Sequence, residues 1–381
     1  LLSVKVKFPL PSDVKSWLYA VVGTISGTAI TFSSEVALTA TANHMDYAYN
    51  YDVVYDPNSS QFILIYSVAN SYWRGRVFSI SSSSVITLGT TVSNNIINRR
   101  GDQPQAAFDT NTNRVVFTYR ALYNYDFRHL LHASISGTGS SATLTFGNHS
   151  VLFSASSQNN PTRSVDIVFD PNSNKVITCL TATAPGNPSQ AIIFSLVYDS
   201  TNNIYTTSGN NSTLTFSTYE TYSATSLARL LYHPPSNKIV YAYTKAVNSR
   251  VFVRLLTIPQ VGASPERPTY TSEVDVFGTT RFPHSNYGFQ IGFDSYLNKI
   301  ILACALSTFG TGVIEFKTSL GVISSSGNSI SFGNQFEILN SSGNSYSGQS
   351  NGYLVRVDGI AYDTNSKKYV VAFFHHSSPT G

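Results

Sequence analysis

Charge is scarce in this chain. Only 12% of its 381 residues are Asp, Glu, Lys or Arg, about half the share of an ordinary soluble protein. The net charge is +4, too small and too scattered for a nucleic-acid groove, which needs clustered Lys and Arg. Cysteine is nearly absent: Cys179 and Cys304 are the whole supply, which excludes a disulfide framework. No apolar run approaches the ~18 residues of a membrane span, so no membrane insertion is expected. No stretch combines Ala, Leu, Glu and Lys at helical spacing, so little helix is expected. Paired-Cys and H-E-x-x-H metal spacings are missing, as are a G-x-S-x-G elbow and a Gly-rich phosphate loop. No cofactor and no metal site are expected. An initiator Met is missing too, since the chain begins at Leu1; a processed product or the ordered part of something longer is expected.

What the chain has is repetition. Ser164–Leu180 (SVDIVFDPNSNKVITCL) reads as strand, turn, strand. Val165, Ile167 and Phe169 alternate with Asp166 and Val168, the period of two of a pleated strand. Asp170-Pro171-Asn172-Ser173-Asn174 breaks the run, Pro presetting φ and Asp and Asn bonding their own backbone. The pattern recurs at Val53–Tyr66, Gln105–Tyr119, Ala228–Tyr243, Phe289–Ala303 and Gly359–Phe373. Its turn residue is Asp56, Asp109, Asp170, His233, Asp294 and Asp363 in succession. The period is roughly 60 residues, the mark of a repeat architecture. Each of these hairpins except the last is followed by a second one rich in Ser, Thr and Phe, as in Ser141–Phe146, Ser212–Phe216 and Ser329–Phe332.

Four strands per repeat and six first hairpins predict an all-β fold, a single six-bladed β-propeller of four-stranded blades. The last first-type hairpin lacks a follower, and Trp17–Leu38 has the second-hairpin pattern with no hairpin before it. The ring is therefore expected to close by the amino-terminal strands pairing with the carboxy-terminal hairpin. One domain, 1–381, is expected, with 17–42 and 353–376 as the closing blade and 47–93, 103–156, 163–217, 226–278 and 287–338 as the others. Residues 1–16 are expected to hold an extra outer strand or a lead-in. The two cysteines fall in blades three and five and are read as separate buried thiols.

Propeller geometry sorts the loops. The Asp turns lie on one face, which is chemically plain. The other face, carrying the mid-blade and blade-to-blade loops, collects Trp73, Arg74, Arg99, Arg100, Asp102, Tyr123, Tyr125, Arg163, His284 and Tyr287. Aromatic and Arg side chains there give contact area and donors at modest entropic cost, so these residues are the candidate ligand or partner site. Arg100-Gly101-Asp102 is also an adhesion triplet, although its Arg and Asp can simply pair. Asp109-Thr-Asn-Thr-Asn113 echoes half a calcium loop, but lacks its Gly and its closing Glu, and a hairpin turn accounts for it. His129 with His132, and His375 with His376, point apart on strands. Sequons begin at Asn58, Asn148, Asn210, Asn211 and Asn340, candidate glycosylation sites if the chain is extracellular.

The motif [FY]-D-[PT]-N-[ST]-N-[KR]-x-V with a trailing S-G-T-x-[IL]-T-F resembles tandem propeller repeats of large structural and surface proteins of marine phages and marine invertebrates. The resemblance implies a structural, adhesive or host-recognition role and names no ligand. The expectation is a non-catalytic extracellular or virion-surface scaffold or adhesion module, not an enzyme. Its partners would be protein or matrix, the chain itself in an assembly, or glycans. Alternatives are a glycan-binding lectin or host-receptor-binding module and a glycoside hydrolase with two funnel carboxylates. Asp46, Asp102, Glu220 and Asp358 are the acids left for such a funnel.

Overall fold

The computed structural model describes residues 2–7, 17–26, 29–39, 51–68, 72–94, 101–121, 127–154, 165–182, 190–207, 213–217, 228–244, 250–263, 267–278, 281–283, 289–308, 314–340, 355–364 and 367–375. The fold is all-β, a six-bladed propeller of four-stranded antiparallel blades. Among the described residues, helix is confined to two three-residue 3-10 turns, Gly139–Ser141 and Pro234–Ser236. The chain divides into two compact units, residues 1–178 with 194–212, and residues 179–193 with 213–381.

In the first unit Tyr51–Asp56, Gln61–Val68, Tyr72–Ile80 and Ile86–Asn94 pair in chain order. Gly101–Asp109, Arg114–Ala121, Phe127–Ser136 and Thr143–Phe146 repeat that order, and Ser150–Ser154 also pairs with Phe127–Ser136. Next along the chain, Val165–Asp170, Lys175–Ala182, Gln190–Asp199 and Ile204–Thr207 do the same. The second unit holds Ala228–His233, Lys238–Thr244, Val251–Thr257 and Thr269–Tyr270, then Phe289–Asp294, Lys299–Thr308, Ile314–Ile323 and Ile330–Asn340. It ends in the hairpin Val355–Asp363 and Lys368–His375. At the amino end, the strand expected near residues 1–16 is Leu2–Lys7, which runs antiparallel to Trp17–Ser26 with Leu2 opposite Val22. Trp17–Ser26 also pairs with Ala29–Phe32 and Val36–Ala37, completing the amino-terminal sheet.

The repeated Asp makes the turn. Its Oδ1 accepts the backbone N–H two residues on: Asn58 at 2.8 Å from Asp56, Asn111 at 2.9 Å from Asp109, Asn172 at 3.0 Å from Asp170, Tyr296 at 2.8 Å from Asp294. Its Oδ2 takes the hydroxyl three residues on, from Ser59, Thr112 and Ser173. The fourth residue on has positive φ in every one of these hairpins: Ser60, Asn113, Asn174, Asn237, Asn298 and Lys367. Asn dominates there because its short polar side chain tolerates the left-handed region. Asp199 builds an unforeseen turn of the same kind, bonding the N–H groups of Thr201 and Asn202, with Asn203 at φ 52°. The calcium-like sequences are thus turns whose carboxylate oxygens serve the backbone.

Alternation decides what is buried. In the first unit Ile63, Ile65, Trp73, Val77, Val115, Phe117, Tyr119, Leu131 and Leu144 form one core. Leu18, Ala20 and Leu38 pack on Leu64, Tyr66 and Phe78. In the second unit Val240, Ala242, Val251, Val253, Leu255, Phe289, Ile300 and Leu302 share a core with Cys304. Each such side chain contributes roughly 1.5–3 kcal/mol of apolar transfer free energy. Cys179 and Cys304 are both buried thiols outside any disulfide.

Candidate functional site

Of the loop residues singled out by the sequence, two have described side chains, and both lie on a strand. The blade-one loop is shorter than expected, since pairing resumes at Tyr72. Trp73 is therefore a core residue, 1% exposed, tilted against Phe117 at 5.4 Å and Tyr119 at 4.8 Å. Arg74 is half-buried and stands opposite Tyr66 in the ladder, where its charge works against the burial that raises the Tyr66 phenol. Asp102 also sits in a strand, opposite Arg120; its expected pairing with Arg100 lies outside the described residues. Arg99, Arg100, Tyr123, Tyr125, Arg163, His284 and Tyr287 lie outside the described residues, as do Asp46, Glu220 and the sequons Asn210 and Asn211. The side chains of Asp102, Asp358 and Asn340 are likewise outside them. The sequon side chains of Asn58 and Asn148 are committed to neighbouring turns: Asn58 Nδ2 donates to Thr110 O and Asn113 Oδ1, and Asn148 Nδ2 to Asn202 O.

Three polar clusters stand out. The first joins two blades within the first unit. Asp109, 3% exposed, accepts from Tyr205 OH at 2.6 Å and from Thr112 Oγ1 at 2.7 Å. Burial and then the Asp109 charge push the Tyr205 phenol far up, so it stays a donor. Beside it, Arg114 lies 4.0 Å over the Tyr198 ring and donates to Tyr198 OH and to Thr112 O. His132 packs edge-on against Tyr198 and Tyr205. Its Nε2 lies 2.9 Å from Asn203 O; a carbonyl only accepts, so Nε2 carries the hydrogen. The bonds of this cluster hold a turn to the next blade, while Arg114 Nε and His132 Nδ1 are buried without a hydrogen-bond partner among the described residues.

In the second cluster, Arg76 ties the amino-terminal sheet to blade one. It donates to Gly89 O and Leu38 O, both at 2.9 Å. It too is architectural.

The third is different. On the strand Lys238–Thr244, Tyr241 and Tyr243 share a face and stack at 4.8 Å. The ladder sets Arg254 opposite Tyr241 and Phe252 opposite Tyr243. Val274–Asp275 pairs with Phe252–Val253, which brings the preceding Glu273 alongside. Tyr243 OH donates to Glu273 Oε2 at 2.6 Å, Arg254 Nη2 to the same oxygen at 2.9 Å, and Arg254 Nε to Tyr243 OH at 3.0 Å. Tyr270 covers the guanidinium at 4.9 Å. The side chains of Arg254 and Glu273 keep 20% and 29% exposure. Burial, aided by the bond to Glu273, raises the Tyr243 phenol, while Arg254 opposes that rise. Burial alone would weaken the Arg254 cation; the bonds to Glu273 and Tyr243 outweigh it and hold it charged. A carboxylate, a protonated phenol and a guanidinium thus meet within hydrogen-bond reach, partly open to solvent. Sequence reasoning missed this set because it depends on ladder register. The available signal was a charged residue, Arg254, inside the apolar run Val251–Leu256. Among the described residues, no group of three or more His, Cys, Asp or Glu side chains is placed to hold a metal ion.

No protein-family model and no curated protein matches the chain. Solved structures do. The periplasmic gluconolactonase of Pseudomonas aeruginosa shares the fold with a TM-score of 0.55 at 10% identity, over 98% of this chain and 89% of that one. A candidate 6-phosphogluconolactonase of Bacteroides uniformis does so with a TM-score of 0.52 at 12% identity, over 98% and 88%. Identity this low establishes a shared fold. It also corrects the expectation of a non-catalytic scaffold or adhesion module and of no enzyme activity, because the whole-length structural neighbours carry the names of lactonases. The physical reason for the misreading is plain: the repeat is written in turn and strand residues, which specify a propeller and are silent on its chemistry.

Proposed function

We propose that this propeller is an enzyme that hydrolyses small sugar-derived lactones. The observation that supports it is the fold likeness to the two lactonase propellers across 98% of the chain. The reaction suits a chain without evident cofactor motifs. Water adds to the lactone carbonyl, the ring C–O bond breaks, and the released alkoxide takes up the proton that a base removed from the water. Among the described residues, Glu273 is the candidate base. Arg254 pairs with it, and Tyr243, held protonated, is the candidate donor to the developing oxyanion. The periplasmic neighbour supports a location outside the cytoplasm, and the marine repeat-propeller likeness of the turn motif is kept as a proposal about ancestry alone.

The test is acid release from glucono-1,5-lactone and its 6-phosphate in weakly buffered indicator, with spontaneous ring opening subtracted. Saturable acceleration supports the reading; rates equal to the blank for both lactones overturn it. In an active protein, Glu273→Gln and Tyr243→Phe should each lower kcat by about 10²-fold or more. Full activity in both variants would move the chemistry elsewhere on the propeller.

A further inference from the structure

Five of the six first hairpins carry Asp at the turn, and blade four carries His233. The reason lies two residues on. The Asp turns need the N–H at that position as donor to Oδ1. In blade four the residue there is Pro235, which has no N–H. A carboxylate would be buried at this turn without that bond, which is unfavourable for a charge. His233 instead brings a ring that can stay neutral. Its Nδ1 lies 2.8 Å from Ser236 Oγ, keeping the hydroxyl contact three residues on. The turn tightens to a 3-10 turn over Pro234–Ser236.

The ring also makes the joint to the next hairpin. His233 is 1% exposed and meets Phe293 edge-on, centroids 4.8 Å apart at 77°. Phe293 and Asp294 are adjacent on Phe289–Asp294. The equivalent residue one blade on is Tyr362, whose phenol, like that of Tyr369, is raised by burial and by the neighbouring Asp294 carboxylate. So an Asp turn is met by phenol hydroxyls, and the His turn by an apolar ring.

We propose that the blade-four turn is an acid-sensitive joint: protonation of His233 releases its hold on Phe293 and loosens the hairpin Phe289–Asp294 and Lys299–Thr308. A cation there would face the turn hydroxyl of Ser236, the Phe293 ring and the side chain of Asn298. Lys238, its ladder partner, adds like charge nearby, although Nζ is donated to Thr257. Asp294 accepts from Tyr296 N and Leu297 N, and its charge lies beside the two tyrosine phenols of the last hairpin. Lys299 pairs with Asp294 in the ladder, and the turn at Gly327 approaches through backbone beside Lys238 and Ser236. Burial holds the imidazole below its ordinary value, and the nearby Asn298 side chain only partly offsets that. A depressed base contributes stability that is fully present above the unfolded value of about 6.5 and is lost as pH falls through the folded value.

Amide exchange on the whole chain at pH 7.5 and 5.5, expressed as protection factors, tests this. Protection across 289–294 and 299–304 should fall at the lower pH by up to about tenfold, the most that a base of ordinary value 6.5 kept neutral in the fold can lose between these two pH values. His233→Asn, which cannot titrate and can still bond Ser236, should abolish that difference. Phe293→Leu should lower protection at both pH values and shrink the difference between them. Unchanged protection in the wild type, or an undiminished fall in His233→Asn, would overturn the proposal.

Discussion

At the turn after Phe108 the chain places Asp109; at the turn after Tyr232 it places His233. Both are buried, both bond a hydroxyl three residues on, and both reach a neighbouring blade within their own unit. The bonds they offer differ in kind. Asp109 gathers four donors: two backbone N–H groups, Thr112 Oγ1 and Tyr205 OH. His233 has one described polar bond in its turn and an aromatic edge. A charge-assisted network is strong when complete and severe when broken. An aromatic contact is worth about 0.5–1.5 kcal/mol beyond its buried area and degrades gradually. One joint is therefore brittle and the other adjustable, from a single change of turn residue set by Pro235.

The largest expected effect follows from removing the brittle one. Asp109→Ala would leave two turn N–H groups without their acceptor and the buried Tyr205 hydroxyl with Thr112 Oγ1 alone, at about 3 kcal/mol. His233→Ala would lose one hydrogen bond and some packing, at about 2 kcal/mol. Urea unfolding midpoints of the two variants compare them directly. Equal losses would mean that the carboxylate network adds nothing to the joint beyond shape.

Next comes the wall of the Asp109 cluster. A Cβ added at Gly147 would sit 2.0 Å from His132 Cε1 and 2.2 Å from Nε2, so the ring must leave Asn203. Gly147→Ala should destabilise by about 2 kcal/mol, and much less in a His132→Ala background, where the obstruction is gone. A double-mutant cycle reads the coupling; additivity would place the clash elsewhere. His132 is also held below its ordinary value by burial, with Arg114 adding to it. Its contribution is present above about pH 6.5 and drains as pH falls through the folded value.

The hairpins of this fold were legible because the turn chemistry is local. Asp, Pro and Asn act on their own backbone within five residues, and a sequence shows that directly. The joints were not, because they depend on which side chain of the next blade arrives. Nothing local marks Tyr205 as the partner of Asp109, nor Phe293 as that of His233. Asp199 escaped notice although its turn is of the same make, since it lies in a second hairpin where Ser-Gly-Thr turns were expected. In sequence alone Trp73 and Arg74 fall in the link between the two hairpins of blade one. The ladder resumes at once, and alternation then sends Trp73 inward and leaves Arg74 beside Tyr66. The Tyr243, Arg254 and Glu273 set has the same origin: three separate positions that only strand register brings together.

The smallest effect isolates what each turn owes to its left-handed residue. Asn237 has φ 51° and ψ 44°, and Asn113 has φ 56°. Alanine at either position accepts a left-handed backbone at about 1 kcal/mol. Asn237 Oδ1 also accepts from Tyr232 OH, an exposed bond within its own hairpin. Asn113 Oδ1 instead accepts from Asn58 Nδ2 of the preceding blade. Both bonds are solvent-exposed, so each adds only about 0.5 kcal/mol to the loss. Asn237→Ala and Asn113→Ala should therefore match within that margin in equilibrium unfolding. They should differ in place: exchange at residues 57–60 should rise in Asn113→Ala, while Asn237→Ala should leave the preceding blade unchanged. If both variants disturbed only their own hairpin, the Asn58 bond would carry no load between blades, and the inter-blade hold would rest on the turn residue alone.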